Sequence, residues 1–167
     1  MRGFSLLLWL VASTVAAQEP LPGIAEPTRA ESTPPPTREQ LRYMEGLRSA
    51  GRGVAQLKDA VNRVNSSKRD AQRLKQAARR LSGLCGTARG FMAAGRAKMQ
   101  PTAYQDPTRL KARRLSLQVD SLIRATPTCE SSAARQPDST AASLLTRIKA
   151  YDTALKDFRA AMALPNR

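Results

Sequence analysis

Cys85 and Cys129 are the side chains whose type and number point most directly to chemistry, because they are the only two cysteines in the chain. In an oxidising compartment an even pair of thiols implies a disulfide, and two cysteines leave a single pairing. Their spacing fits no metal motif. A structural zinc takes four Cys or His ligands, and this chain has no histidine at all.

The missing histidine removes the commonest general base, the usual haem ligand and the usual transition-metal ligand together. Ser-His-Asp and Cys-His arrangements, H-E-x-x-H metal helices and C-x-x-C-H haem attachment are thereby excluded. A carboxylate pair of the glycosidase kind is the hydrolytic arrangement left. The 13 Asp and Glu residues, however, stand singly among 28 Lys and Arg, mostly at helix starts or one turn before a basic residue. The expectation is a non-enzymatic protein with no catalytic residue, no metal site and no cofactor. Met44, Met92, Met99 and Met162 carry soft thioethers that a helical bundle can turn toward haem or copper, but without a histidine partner they are expected to fill gaps in a core.

The remaining chemical signal is cationic. Lys68, Arg69, Arg73, Lys75, Arg79 and Arg80 crowd the first half of one helical stretch, and Arg109, Lys111, Arg113 and Arg114 crowd the start of the next, with Arg96 and Lys98 expected beside them. Such a face can hold phosphate- or carboxylate-bearing polymers through arginine forks. The alternative is a solvated surface that keeps the protein monomeric and soluble. No aromatic residue interrupts these clusters to stack on bases, which weighs against nucleic acid as the ligand.

The elements that position these residues begin after an export signal. Arg2 precedes an uncharged run, Gly3 to Ala17, with an apolar stretch from Phe4 to Ala12 and the small-residue pattern Val15-x-Ala17 before Gln18. The run is shorter than the ~20 residues a spanning helix needs, and no second one occurs. Cleavage near Ala17 is expected to leave a periplasmic or secreted protein with no transmembrane anchor. Residues 18–36 hold six of the eleven prolines and form a flexible tether. Residues 37–167 form one domain and carry 26 basic against 10 acidic side chains, so the basic character belongs to the folded part.

Four helical patterns follow. Thr37 with Gln40 is a capping box that opens a helix reaching about Val64, with Tyr43, Leu47, Ala50, Val54, Leu57, Val61 and Val64 as its seam. Gly46, Gly51 and Gly53 weaken it, and a kink or fraying is expected near Gly51 to Gly53. Ser67 with Asp70 restarts a second helix reaching about Met99, on the stripe Leu74, Ala78, Leu81, Cys85, Ala88, Met92 and Gly95. Beside it, Gly83, Gly86, Gly90 and Ala93 form a small-residue stripe, either a helix-pairing face or room for a neighbour to approach Cys85. Asp106-Pro107 reads as an N-cap with proline at the first helical position, opening a third helix that ends before Thr126-Pro127 and leaves Cys129 in a loop. The fourth runs from about Asp138 to before Pro165, with Ala141, Leu144, Ile148, Tyr151, Leu155, Phe158 and Met162 as its seam. Asp59 with Arg63, Asp120 with Arg124 and Asp152 with Lys156 are spaced for i,i+4 pairs. Tyr43, Tyr104 and Tyr151 are expected in the core or at bundle ends. Asn65-Ser66-Ser67 would accept an N-glycan in a eukaryotic secretory pathway.

No period-two run appears, so the expected fold is all-α: a four-helix, mostly up-down antiparallel bundle stapled by Cys85–Cys129. The expected function is binding to an envelope or extracellular protein partner. The alternative is binding of an anionic polymer or surface, such as acidic polysaccharide, lipid headgroups or nucleic acid, through the basic face of helices two and three.

Overall fold

Thr37 opens the bundle as its spacing predicts. The Gln40 N–H donates to Thr37 Oγ1 at 3.2 Å while the Thr37 N–H donates to Gln40 Oε1 at 2.9 Å. Two orphan donors are thus satisfied where the proline run ends. Behind this cap lie α1 (Arg38–Ser66), α2 (Ala71–Arg96), a 3-10 turn at Pro101–Ala103, α3 (Thr108–Ser132) and α4 (Pro137–Ala161). The computed structural model describes residues 35–163. The expected export signal at 1–17, residues 18–34 of the expected tether and residues 164–167 lie outside the described residues. Among the described residues there is no strand, and the fold is an all-α four-helix bundle.

Each helix packs on the next and α4 closes on α1. The short links force neighbours to run antiparallel, which the cross-helix partners show: Gly46 lies against Gly95, Cys85 joins Cys129, Arg114 faces Asp157 and Lys58 reaches Asp152. The α1 seam residues are all buried, as are Ala78, Leu81, Cys85, Ala88 and Met92 of α2 and Ala141, Leu144, Ile148, Tyr151 and Phe158 of α4. One end of the core is closed by Tyr43, Tyr104 and Phe158, with ring centroids 5.2 to 5.3 Å apart. Tyr43 also donates to the Ala112 carbonyl at 2.9 Å, tying α1 diagonally to α3.

The glycines of α1 neither kink nor fray it; the helix is continuous. Two of them let the α1 and α2 backbones touch. A Cβ on Gly53 would stand 2.5 Å from the Ala88 carbonyl oxygen, and one on Gly46 would stand 2.5 Å from that of Gly95. Met92 and Met99 pack beside these contacts and are fully buried. The small-residue stripe of α2 does something else. Nothing lies within 4 Å of a Cβ added at Gly83 or Gly90, whereas Gly86 makes room for the Glu130 carboxylate at 3.1 Å.

Three boundaries differ from the sequence reading. Ser67 caps the end of α1, its N–H donating to Arg63 and Val64 carbonyls, and Asp70 alone caps α2 through the N–H groups of Gln72 and Arg73. Asp106 does not cap α3. Its carboxylate instead holds the Arg109 guanidinium at 2.7 Å, and the Asp106–Pro107 peptide is cis. Most consequential, α3 does not stop at Pro127 but runs through it to Ser132. The carbonyl that a residue-127 N–H would have bonded belongs to Ile123, and the Thr126 hydroxyl donates to it at 2.7 Å. That hydroxyl replaces the hydrogen bond that the proline deletes. Cys129 is therefore on a helix, not in a loop, and meets Cys85 at a Cα separation of 6.1 Å, inside the 4.4–6.8 Å range for a disulfide.

Candidate functional site

Acidic residues are consumed by structure. Glu45, Asp59, Asp70, Asp106, Asp120, Glu130, Asp138, Asp152 and Asp157 each pair with a different base within 4 Å, leaving Glu39 as the one acid without an ion pair among the described residues. Of the three i,i+4 pairs expected, Asp59–Arg63 forms. Asp120 and Asp152 turn instead to Arg96 and Lys58 on neighbouring helices, because a cross-helix cation lies closer than the one a turn away. The Lys98 ammonium beside Glu45 holds that carboxyl below the usual range. No cluster of three or more Cys, Asp or Glu is arranged to hold a metal among the described residues.

The basic residues do not form one face. The register set by Arg96 and Asp120 places Arg80 and Arg113 roughly 35 Å apart along the bundle at ~1.5 Å per residue. Helix α3 begins where α2 ends, so the two crowded stretches fall at opposite ends. Six of the twelve candidates are paired: Lys68 with Asp138, Arg73 with Asp70, Arg96 with Asp120, Lys98 with Glu45, Arg109 with Asp106 and Arg114 with Asp157. Arg69, Lys75, Arg79, Arg80, Lys111 and Arg113 have no ion pair among the described residues.

What the structure does bring together is Arg96, Arg109 and Arg113. They border a cleft of about 440 Å³ between the end of α2 and the start of α3, with Pro101, Thr102, Ser116, Leu110 and Leu117. Leu110 and Leu117 are 60% and 52% exposed and, with Leu41, are the large apolar side chains left in solvent among the described residues. Their spacing of seven puts them on one stripe of α3, with Arg113 between them. Sequence reading missed these leucines because they carry the same heptad spacing as core positions. At the other end, Arg63, Arg73 and Arg80 border a shallower hollow of about 370 Å³ at the α1–α2 turn.

A second concavity lay outside the sequence reading altogether. Between α1 and α4, a groove of about 420 Å³ is lined by Met44, Leu47, Gly51, Val54, Tyr151, Leu155 and Phe158, with Arg48, Lys58, Asp152 and Arg159 around it. Leu155, a seam position by its spacing, and Met44, expected to fill a gap in the core, are partly buried walls of this groove.

Fold and surface together define a disulfide-stapled, cationic four-helix bundle. Compared with known proteins, the chain matches no protein-family model, no curated protein and no solved structure.

Proposed function

We propose that this is an exported, non-enzymatic binding module that docks an acidic partner protein on the α2–α3 end. The observation that carries this reading is the Leu110–Arg113–Leu117 stripe beside the cleft of Arg96 and Arg109. Protein interfaces favour arginine over lysine and surround charged contacts with apolar area, and both features meet here. The paired carboxylates support a binding role over a hydrolytic one. Export rests on the N-terminal signal pattern, and N-terminal sequencing of the secreted protein is expected to begin at Gln18.

The test is site-specific photo-crosslinking in the envelope or culture fraction of the native host. A crosslinker at Leu117 is expected to trap one acidic protein, and Arg113→Glu to abolish the adduct, while a crosslinker at exposed Ala142 traps none. Equal trapping at both positions would overturn the docking surface. Hydrolase activity lost on replacing a single carboxylate would overturn the non-enzymatic reading.

The second reading, an anionic polymer as ligand, is favoured by four cations without ion pairs among the described residues, Arg69 in the α1–α2 turn and Lys75, Arg79 and Arg80 on α2. Two basic ends roughly 35 Å apart suit a long chain that spans the bundle. Salt separates the readings: retention on a polyanion should fall steeply with ionic strength, and an apolar protein contact should respond little. Replacing Arg73, Arg80, Arg113 and Arg114 by glutamine is expected to release the polymer, and unchanged retention would exclude these residues.

A further inference from the structure

From the groove between α1 and α4, we infer a second binding site, for a single-chain aliphatic carboxylate. It is independent of the α2–α3 surface. The groove is an apolar concavity at the α1–α4 seam, which is the loosest of the four in the bundle. From Met44 to Lys58 it extends ~21 Å along α1 at ~1.5 Å per residue, long and narrow. Its volume of about 420 Å³ falls within the ~300–1,000 Å³ of small-molecule sites.

Polar groups specify the head of the ligand. Tyr151 is 3% exposed as a residue, but its hydroxyl opens on the groove and is not among the buried polar atoms left without a partner. That oxygen lies 3.7 Å from where a Gly51 Cβ would stand, so it faces the gap the glycine leaves. A phenol on the groove wall can donate to an anionic head in place of water. Arg48 stands at the rim, and Glu45, whose carboxylate feels its charge, is held by Lys98. The one acid of the groove, Asp152, is neutralised by Lys58 at 2.8 Å. An anionic head between Arg48 and Tyr151, with an alkyl tail over Leu47, Val54, Leu155 and Phe158, satisfies each of these groups.

Isothermal titration calorimetry of the purified exported protein with octanoate, decanoate and dodecanoate, all below micelle formation, tests this. One saturable site is expected, tightening by about fourfold per added methylene until the groove is filled. Gly51→Leu should weaken binding at least tenfold with circular dichroism and thermal midpoint retained, because only Tyr151 lies near the new side chain. Ala55→Phe, at an exposed position on the groove's edge, is the second blocking variant. Arg48→Gln and Tyr151→Phe should each cost severalfold for the carboxylate. Decyltrimethylammonium should bind tenfold more weakly than decanoate. Absence of a saturable site, undiminished binding by both blocking variants, or equal affinity for the cationic chain would each overturn the inference. None of these outcomes bears on crosslinking at Leu117, so the two sites fail separately.

Discussion

At Thr126 one hydroxyl decides whether a helix ends. Proline at 127 deletes the N–H that would bond the Ile123 carbonyl, and the Thr126 side chain supplies a donor in its place. Thr126 is fully buried, so losing that donor leaves a carbonyl unpaired away from water. Thr126→Val is expected to destabilise the bundle by about 1–3 kcal/mol in urea denaturation, the usual cost of an orphaned buried acceptor. Adding Pro127→Ala should restore most of that loss, since the backbone N–H then returns, and additive effects of the two changes would refute the compensation. The glycines give a matching contrast. Gly46→Ala drives a Cβ into the Gly95 carbonyl and should cost about 1–3 kcal/mol. Gly90→Ala meets open space and should gain about 0.5–1 kcal/mol from helix propensity. Sequence alone ranks these two glycines equally, because propensity is a property of the residue and the opposing backbone is not.

Among elements, the disulfide joins α2 to α3 at mid-height, and the ion pairs fasten the remaining seams. Exposed pairs such as Lys58–Asp152 contribute little each, within about 1 kcal/mol. The bridge weighs more: closing its loop restricts the unfolded chain by roughly 4 kcal/mol in the chain-entropy model. Reduction is expected to lower the thermal midpoint sharply while helical circular dichroism persists near room temperature, since the buried seams specify the helices. Mass spectrometry of the unreduced protein should find no free thiol and one Cys85–Cys129 peptide pair. The existence of all four helices and the faces of α1, α2 and α4 were legible from the sequence, the faces from alternating three- and four-residue spacing. Their ends were less so. A proline or serine marks a stop only when no neighbouring side chain satisfies the freed backbone group, and Thr126 does.

For the molecule as a whole, burial of phenols makes stability depend on alkaline pH. Burial pushes Tyr43, Tyr104 and Tyr151 up to about 12 from an ordinary value of 10.0. The folded state therefore disfavours the phenolate that the unfolded chain readily forms. The stability these groups contribute is fully present below about pH 10 and is lost as pH rises toward about 12. Tyrosinate absorbance and helical circular dichroism should change together across that window; phenols ionising near 10 with the helices intact would contradict their burial. By itself the sequence determined the all-α class, the seams, the sole possible disulfide and the excess of positive charge, because these follow from residue type and short-range spacing. Only the tertiary structure decided that the basic clusters sit at opposite ends, that Asp120 and Asp152 bridge helices, and that α1 and α4 leave a groove. Each of those depends on register between helices. Register is set by where two backbones can approach, here at Gly46, Gly53 and Gly95, and no spacing within a single helix encodes the distance to another.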